Sequence, residues 1–161
     1  GFLSYNIQVG QGINPTNWLT IHESTDRPVV DGLLGHWDTS GLEGLFAVRL
    51  QVVHTGQRIE TAVLQVTVDN TPPQAAIPYP QPGQIFDRRS QTSIIFQADV
   101  QDNVGIQSVE WQLDGRKIGE RLSAPFALVW DATPGEHTLQ IQAVDLAGNQ
   151  GRSEEITFTV K

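Results

Sequence analysis

The sequence predicts an all-β chain built as two antiparallel β-sandwich modules in tandem. Three observations carry that prediction. Apolar and polar residues alternate with period two in many short runs, and Gly, Asn, Asp and Pro separate the runs. One stretch is also written twice: WDTSGLEGLFAVRLQVV from Trp37 and WDATPGEHTLQIQAV from Trp130. Each opens on Trp-Asp, passes a turn containing Gly and Glu, and alternates into a strand. Such self-similarity marks a repeated module.

The second half is read most directly. Ile94, Phe96, Ala98 and Val100 alternate with Ser93, Ile95, Gln97 and Asp99, a strand with one buried face. Asp102-Asn103-Val104-Gly105 turns the chain. Val109, Trp111 and Leu113 form the next strand and end at Asp114-Gly115, a hairpin signal. Phe126 to Trp130 predicts a further strand, stopped by Pro134-Gly135. Leu139, Ile141 and Ala143 follow, then the loop Asp145 to Asn149, and Ile156, Phe158 and Val160 close the chain.

The first half repeats this order. Tyr5, Ile7 and Val9 align with Val109, Trp111 and Leu113, and Trp37-Asp38 with Trp130-Asp131. Val48, Leu50 and Val52 align with Leu139, Ile141 and Ala143, and Leu64, Val66 and Val68 with Ile156, Phe158 and Val160. The boundary is expected at Val68 to Pro73, giving modules 1–70 and 71–161. Pro72-Pro73 stiffens the connection. The segment 74–102 holds two strands, whereas only Gly1 to Ser4 precede Tyr5. The first module is therefore expected to be N-terminally incomplete, without its first two strands. Upstream residues or a strand from a neighbouring copy would fill the gap.

Composition narrows the function. The 161 residues carry a net charge of −8, which repels phosphate backbones and anionic membranes, so nucleic acid is not an expected partner. The absence of Cys excludes disulfides, thiolate metal sites and cysteine nucleophiles. No Met occurs and the chain begins with Gly1, which is expected of a processed product or a segment of something longer. No apolar run approaches the ~18 residues of a membrane-spanning helix, so membrane insertion is not expected.

Candidate chemistry is sparse. His36-Trp37-Asp38-Thr39-Ser40 gathers His, Asp and Ser, but the repeat partner of Trp37-Asp38 is followed by Ala132, and triads draw on separated segments. The histidines His22, His36, His54 and His137 show no metal-ligand spacing and are expected at surfaces or turns. Trp111 and Trp130 fall in phase with core positions, and Trp37 shares that reading. Only Trp18 lies near a loop, where it offers a stacking surface for a sugar. Lys117 and Lys161 are too poorly placed for an intramolecular isopeptide bond. The acidic turns are the remaining site: Asp102 and Asp145 fall in loops at one end of the sandwich, and Asp69 in the linker is expected at the same end. Carboxylates and loop carbonyls there suit calcium, while Asp, Asn and Gly are also what turns require. No other cofactor is expected.

VEWQLDGRKIG followed by APFALVWDATPGEHTLQIQAVDLAGNQG resembles the bacterial immunoglobulin-like modules of exported and cell-surface proteins. YNIQVGQGINPTNWLTI followed by LLGHWDTSGLEGLFAVRLQVV is similar to related modules in the C-terminal tails of some bifunctional penicillin-binding proteins. The resemblance implies a non-catalytic spacer, stalk or assembly module outside a bacterial cell or in its wall. Its implied partners are neighbouring domains of a longer chain or further copies joined by strand pairing. The alternative is an accessory module that binds glycan or peptidoglycan beside a cell-wall enzyme. The catalytic motifs of a transpeptidase, Ser-x-x-Lys and Lys-Thr-Gly, are absent around Lys117 and Lys161.

Overall fold

The computed structural model describes all residues, 1–161. The chain is all-β, with antiparallel sheets as the alternation predicts and of the immunoglobulin-like kind that the resemblance implies, and it divides into two compact units, Gly1–Asn70 and Thr71–Lys161.

The first unit is one sheet. β1 (Phe2–Gln11), β2 (Leu19–Ser24), β3 (Gly44–His54) and β4 (Ile59–Val68) lie in the order β2-β1-β3-β4. Register sets Val9 opposite Val48, Ile7 opposite Leu50 and Tyr5 opposite Val52, with Val48 facing Leu64 on the other side. Directly opposed residues share a face, so these side chains make one apolar surface. The segment between β2 and β3 covers its β1 side. The Tyr5 hydroxyl donates to the Leu34 carbonyl at 2.9 Å, and Trp37 meets Phe46 edge-on at 5.3 Å. The β4 side stays open.

The second unit is a complete sandwich. One layer holds β5 (Gln74–Tyr79), β7 (Ser93–Gln101) and β10 (Ala127–Asp131), ordered β10-β7-β5. The other holds β6 (Ile85–Phe86), β8 (Ile106–Leu113), β9 (Arg116–Arg121), β11 (Gly135–Asp145) and β13 (Ile156–Val160), ordered β6-β13-β11-β8-β9, with β12 (Gln150–Arg152) on β11. Ile94, Phe96, Val109, Trp111, Leu139 and Ile141 are fully enclosed between the layers. The short strands β6 and β12 have no clear alternation and leave no period-two trace in the sequence. β6 pairs with β13 in parallel, the one parallel pairing among antiparallel strands.

The repeat holds in the register as well as in the sequence. Leu113 faces Leu139, Trp111 faces Ile141, Val109 faces Ala143 and Leu139 faces Ile156, the same pairings as their counterparts make in the first unit. Trp130 meets His137 at 5.0 Å and 74°, close to the geometry of Trp37 on Phe46, 5.3 Å and 71°. One expectation fails here. Trp130-Asp131 ends a strand, but Trp37-Asp38 lies in none. The reason is physical: β10 is a strand because it pairs with β7, and the first unit contains no equivalent of β7.

Candidate functional site at the acidic loops

Asp102 lies in the loop between β7 and β8, and Asp145 ends β11 at the start of the loop towards β13. Within the second unit these two bring a carboxylate oxygen each to within 4.8 Å of one another. A backbone bond from the Leu146 N–H to the Gly105 carbonyl, 2.9 Å, ties the two loops together.

Both carboxylates already serve their own loops. Asp145 is fully buried, and its Oδ1 accepts the N–H groups of Ala147 at 2.9 Å and Asn149 at 2.8 Å. Its Oδ2 accepts the Asn149 side-chain amide at 2.8 Å. Asp102 Oδ2 accepts the N–H groups of Val104 and Gly105 at 2.8 and 2.7 Å, the local turn chemistry that favours Asp before such a bend. Asp102 Oδ1 is buried with no hydrogen-bond partner. Thr71, Pro72, Gln74, Gln101, Asp102 and Asn103 line an open cleft of about 270 Å³ beside it. Asp69 is the buried penultimate residue of the first unit, two residues before Thr71 along the chain.

In the His36 to Ser40 cluster, Asp38 Oδ1 accepts the Ser40 N–H at 2.9 Å, and this backbone bond, helped by the Ser40 hydroxyl, holds the exposed carboxyl below its usual value. His36 is exposed and takes no part. That is a turn, with no base poised on a nucleophile. Trp18 is half-buried, with the Arg49 guanidinium over its ring at 4.0 Å, and it lines an apolar cleft of about 330 Å³ with Trp37 and Phe46. Lys117 bridges Glu110 and Glu120 at 2.8 and 3.1 Å on the surface.

The histidine expectation needs a correction. His137 is buried, not at a surface or turn, because its ring packs between Trp130 and Phe158. Its Nδ1 meets Asp114 Oδ2 at 2.8 Å and its Nε2 meets the Thr133 carbonyl at 2.9 Å. The in-phase position His137, Leu139, Ile141 was the signal that pointed inward. Burial pushes the Asp114 carboxyl up, but bonds from the Thr138 N–H and from His137 outweigh it and leave the group below its usual value. A depressed carboxylate contributes stability above its unfolded pKa, near ~4, and loses it as pH falls through the folded one. The second unit is therefore expected to weaken below about pH 4, and Asp114→Asn should flatten that acid limb in a fluorescence-monitored titration.

Comparison with known proteins agrees with the fold. Residues 73–141 match the family model described as "Bacterial Ig domain". An uncharacterized protein of Bacillus subtilis (strain 168), YvnB, is 35% identical over 136 residues, which is 80% of this chain and 10% of that protein. The chain thus spans about a tenth of the length of the curated relative it matches. Among solved structures, the fibronectin(III)-like modules of Clostridium thermocellum CbhA superpose with a TM-score of 0.54 at 19% identity, covering 99% of this chain and 80% of that one. A 1.5-MDa bacterial ice-binding adhesin is similar at a TM-score of 0.43 and 12% identity, over all of this chain and 54% of that one.

Proposed function

We propose that this chain is a non-catalytic structural module of an exported, cell-surface bacterial protein, acting as a spacer or assembly element between neighbouring domains of a longer polypeptide. One observation carries the reading: the polar groups that might have done chemistry are spent on the fold. Asp145 and Asp102 close loops, and His137 with Asp114 braces the turn beside β11. The immunoglobulin-like match over residues 73–141 supports the same reading. Labelling intact cells with an antibody to this region of the full-length protein tests it. Surface labelling that protease removes is expected; labelling only after lysis overturns the exported placement, and hydrolytic turnover by the purified chain overturns the non-catalytic one.

Calcium enters this proposal at the Asp102–Asp145 pair of the second unit. The ion prefers six to eight oxygens, so loop carbonyls and water would complete the set. Adding millimolar calcium to chelated protein is expected to raise the melting temperature by several degrees, and Asp102→Asn to abolish the shift. An unchanged melt removes calcium and leaves the structural role standing.

The second reading, a glycan-binding accessory module of a cell-wall enzyme such as a penicillin-binding protein, draws on the cleft beside Trp18 and Trp37. A peptidoglycan pull-down that retains the chain and loses it with Trp18→Ala would favour it.

A further inference from the structure

The first unit is open at three places where residues 74–101 close the second. The first is the sheet face. Leu64 is 56% exposed where its counterpart Ile156 is 7% exposed, and Val48 and Leu50 are half-buried where Leu139 and Ile141 are at 0%. In the second unit β5 and β7 cover that face. The second place is the sheet edge. β13 receives β6 alongside, Thr159 opposite Ile85 and Val160 opposite Phe86, whereas β4 ends its sheet. The third is the Trp-Asp segment. Trp130 and Asp131 pair with Ile94 and Ser93 of β7, whereas Trp37-Asp38 has no ladder.

We propose that the first unit is a docking surface for a two-strand β-ribbon of the β5–β7 kind, supplied by polypeptide outside residues 1–161. The three openings are separate, yet one segment of about thirty residues closes all of them in the second unit, so one occupant accounts for all three. Its chemistry follows from the surface it meets. One strand presents apolar residues at alternate positions to Val48, Leu50 and Leu64. An aromatic among them fits beside Trp37, as Phe96 stacks on Trp130 at 5.5 Å. The backbone of the same strand extends the Trp37-Asp38 segment into a ladder, and a short stretch lies along the outer edge of β4.

A second copy of this chain is not the source. Each copy holds one such ribbon and already uses it in its second unit, where Ile94 and Phe96 are fully buried. Lending the ribbon to a neighbour would open one sandwich to close another. The need is also sharp, since a bare edge of this length pairs with whatever strand it meets. The β4 edge carries one charge, Glu60 at its start, and none from Thr61 to Val68 to block pairing.

The probe is the chain's own ribbon. Residues 74–105 are fused ahead of Phe2 of the full chain, so that the β7–β8 turn leads into β1 as it leads into β8. Amide exchange at Thr67, the counterpart of Thr159, and at Trp37-Asp38 is expected to slow roughly tenfold or more, with loss of binding to a hydrophobic dye. Ile94→Asp and Phe96→Asp in the added ribbon alone should cancel both effects. The same segment offered as a free peptide gives a second readout if the fusion aggregates. Fast exchange at Thr67 in both arms, with the second unit still protected, overturns the proposal. So does slow exchange at Thr67 in the unfused chain at dimeric mass, which would show that copies cover the face themselves.

Discussion

Trp111→Ala is expected to cost the second unit ~3–5 kcal/mol, enough to unfold it or nearly so. Trp111 is fully buried, opposite Ile141, at the centre of the core. Removing the ring leaves a cavity that the surrounding strands, held by their ladders, collapse into only in part. Trp111→Phe should cost clearly less, because most of the ring stays and the lost indole N–H has no hydrogen-bond partner in its buried site. Trp130→Ala should fall between the two, since this ring is only half-buried although it touches Phe96, His137 and Phe158. Urea unfolding with tryptophan fluorescence measures all three. A Trp111→Ala protein that unfolds at the parent midpoint would contradict the enclosed position of the ring.

Asp145→Ala is expected to be the most damaging change outside the apolar core, at about 3 kcal/mol or more. The carboxylate accepts three N–H groups in a site closed to water, and its loss removes the acceptor of the Ala147 and Asn149 N–H groups and of the Asn149 side-chain amide. Asp145→Asn keeps an oxygen for the two backbone donors but sets its amide against the Asn149 amide, so about half the loss is expected. Thermal unfolding gives the stability, and amide exchange at Ala147 and Asn149 locates it. If Asp145→Ala melts like the parent while those amides remain protected, the loop is held by something other than this carboxylate.

The strands were legible because their residues obey a period that the sheet enforces. Leu139, Ile141 and Ala143 alternate in sequence because β11 is half inside the core, and the same reasoning placed Trp111. What escaped was set by partners rather than by local pattern. β6 is two residues long and exists because β13 offers an edge. Trp37-Asp38 reads like Trp130-Asp131 but lacks the strand that makes its twin a strand. At the acidic loops the residue types were legible and their duties were not. Asp145 looks in sequence like a free ligand, and only the fold shows its oxygens turned onto Ala147 and Asn149.

The outer strand of the second unit, β9, reads Arg116-Lys117-Ile118-Gly119-Glu120-Arg121. Four of its six residues are charged, and Lys117 is tethered to Glu110 and Glu120 on its own sheet. A strand from another molecule approaching this edge must strip water from those ions before any ladder forms, which disfavours pairing there. As the concentration of residues 1–161 rises, association between copies is expected to start at β4 rather than at β9. Val63→Lys is expected to lower that association, read by light scattering, more than a charge added to β9 does.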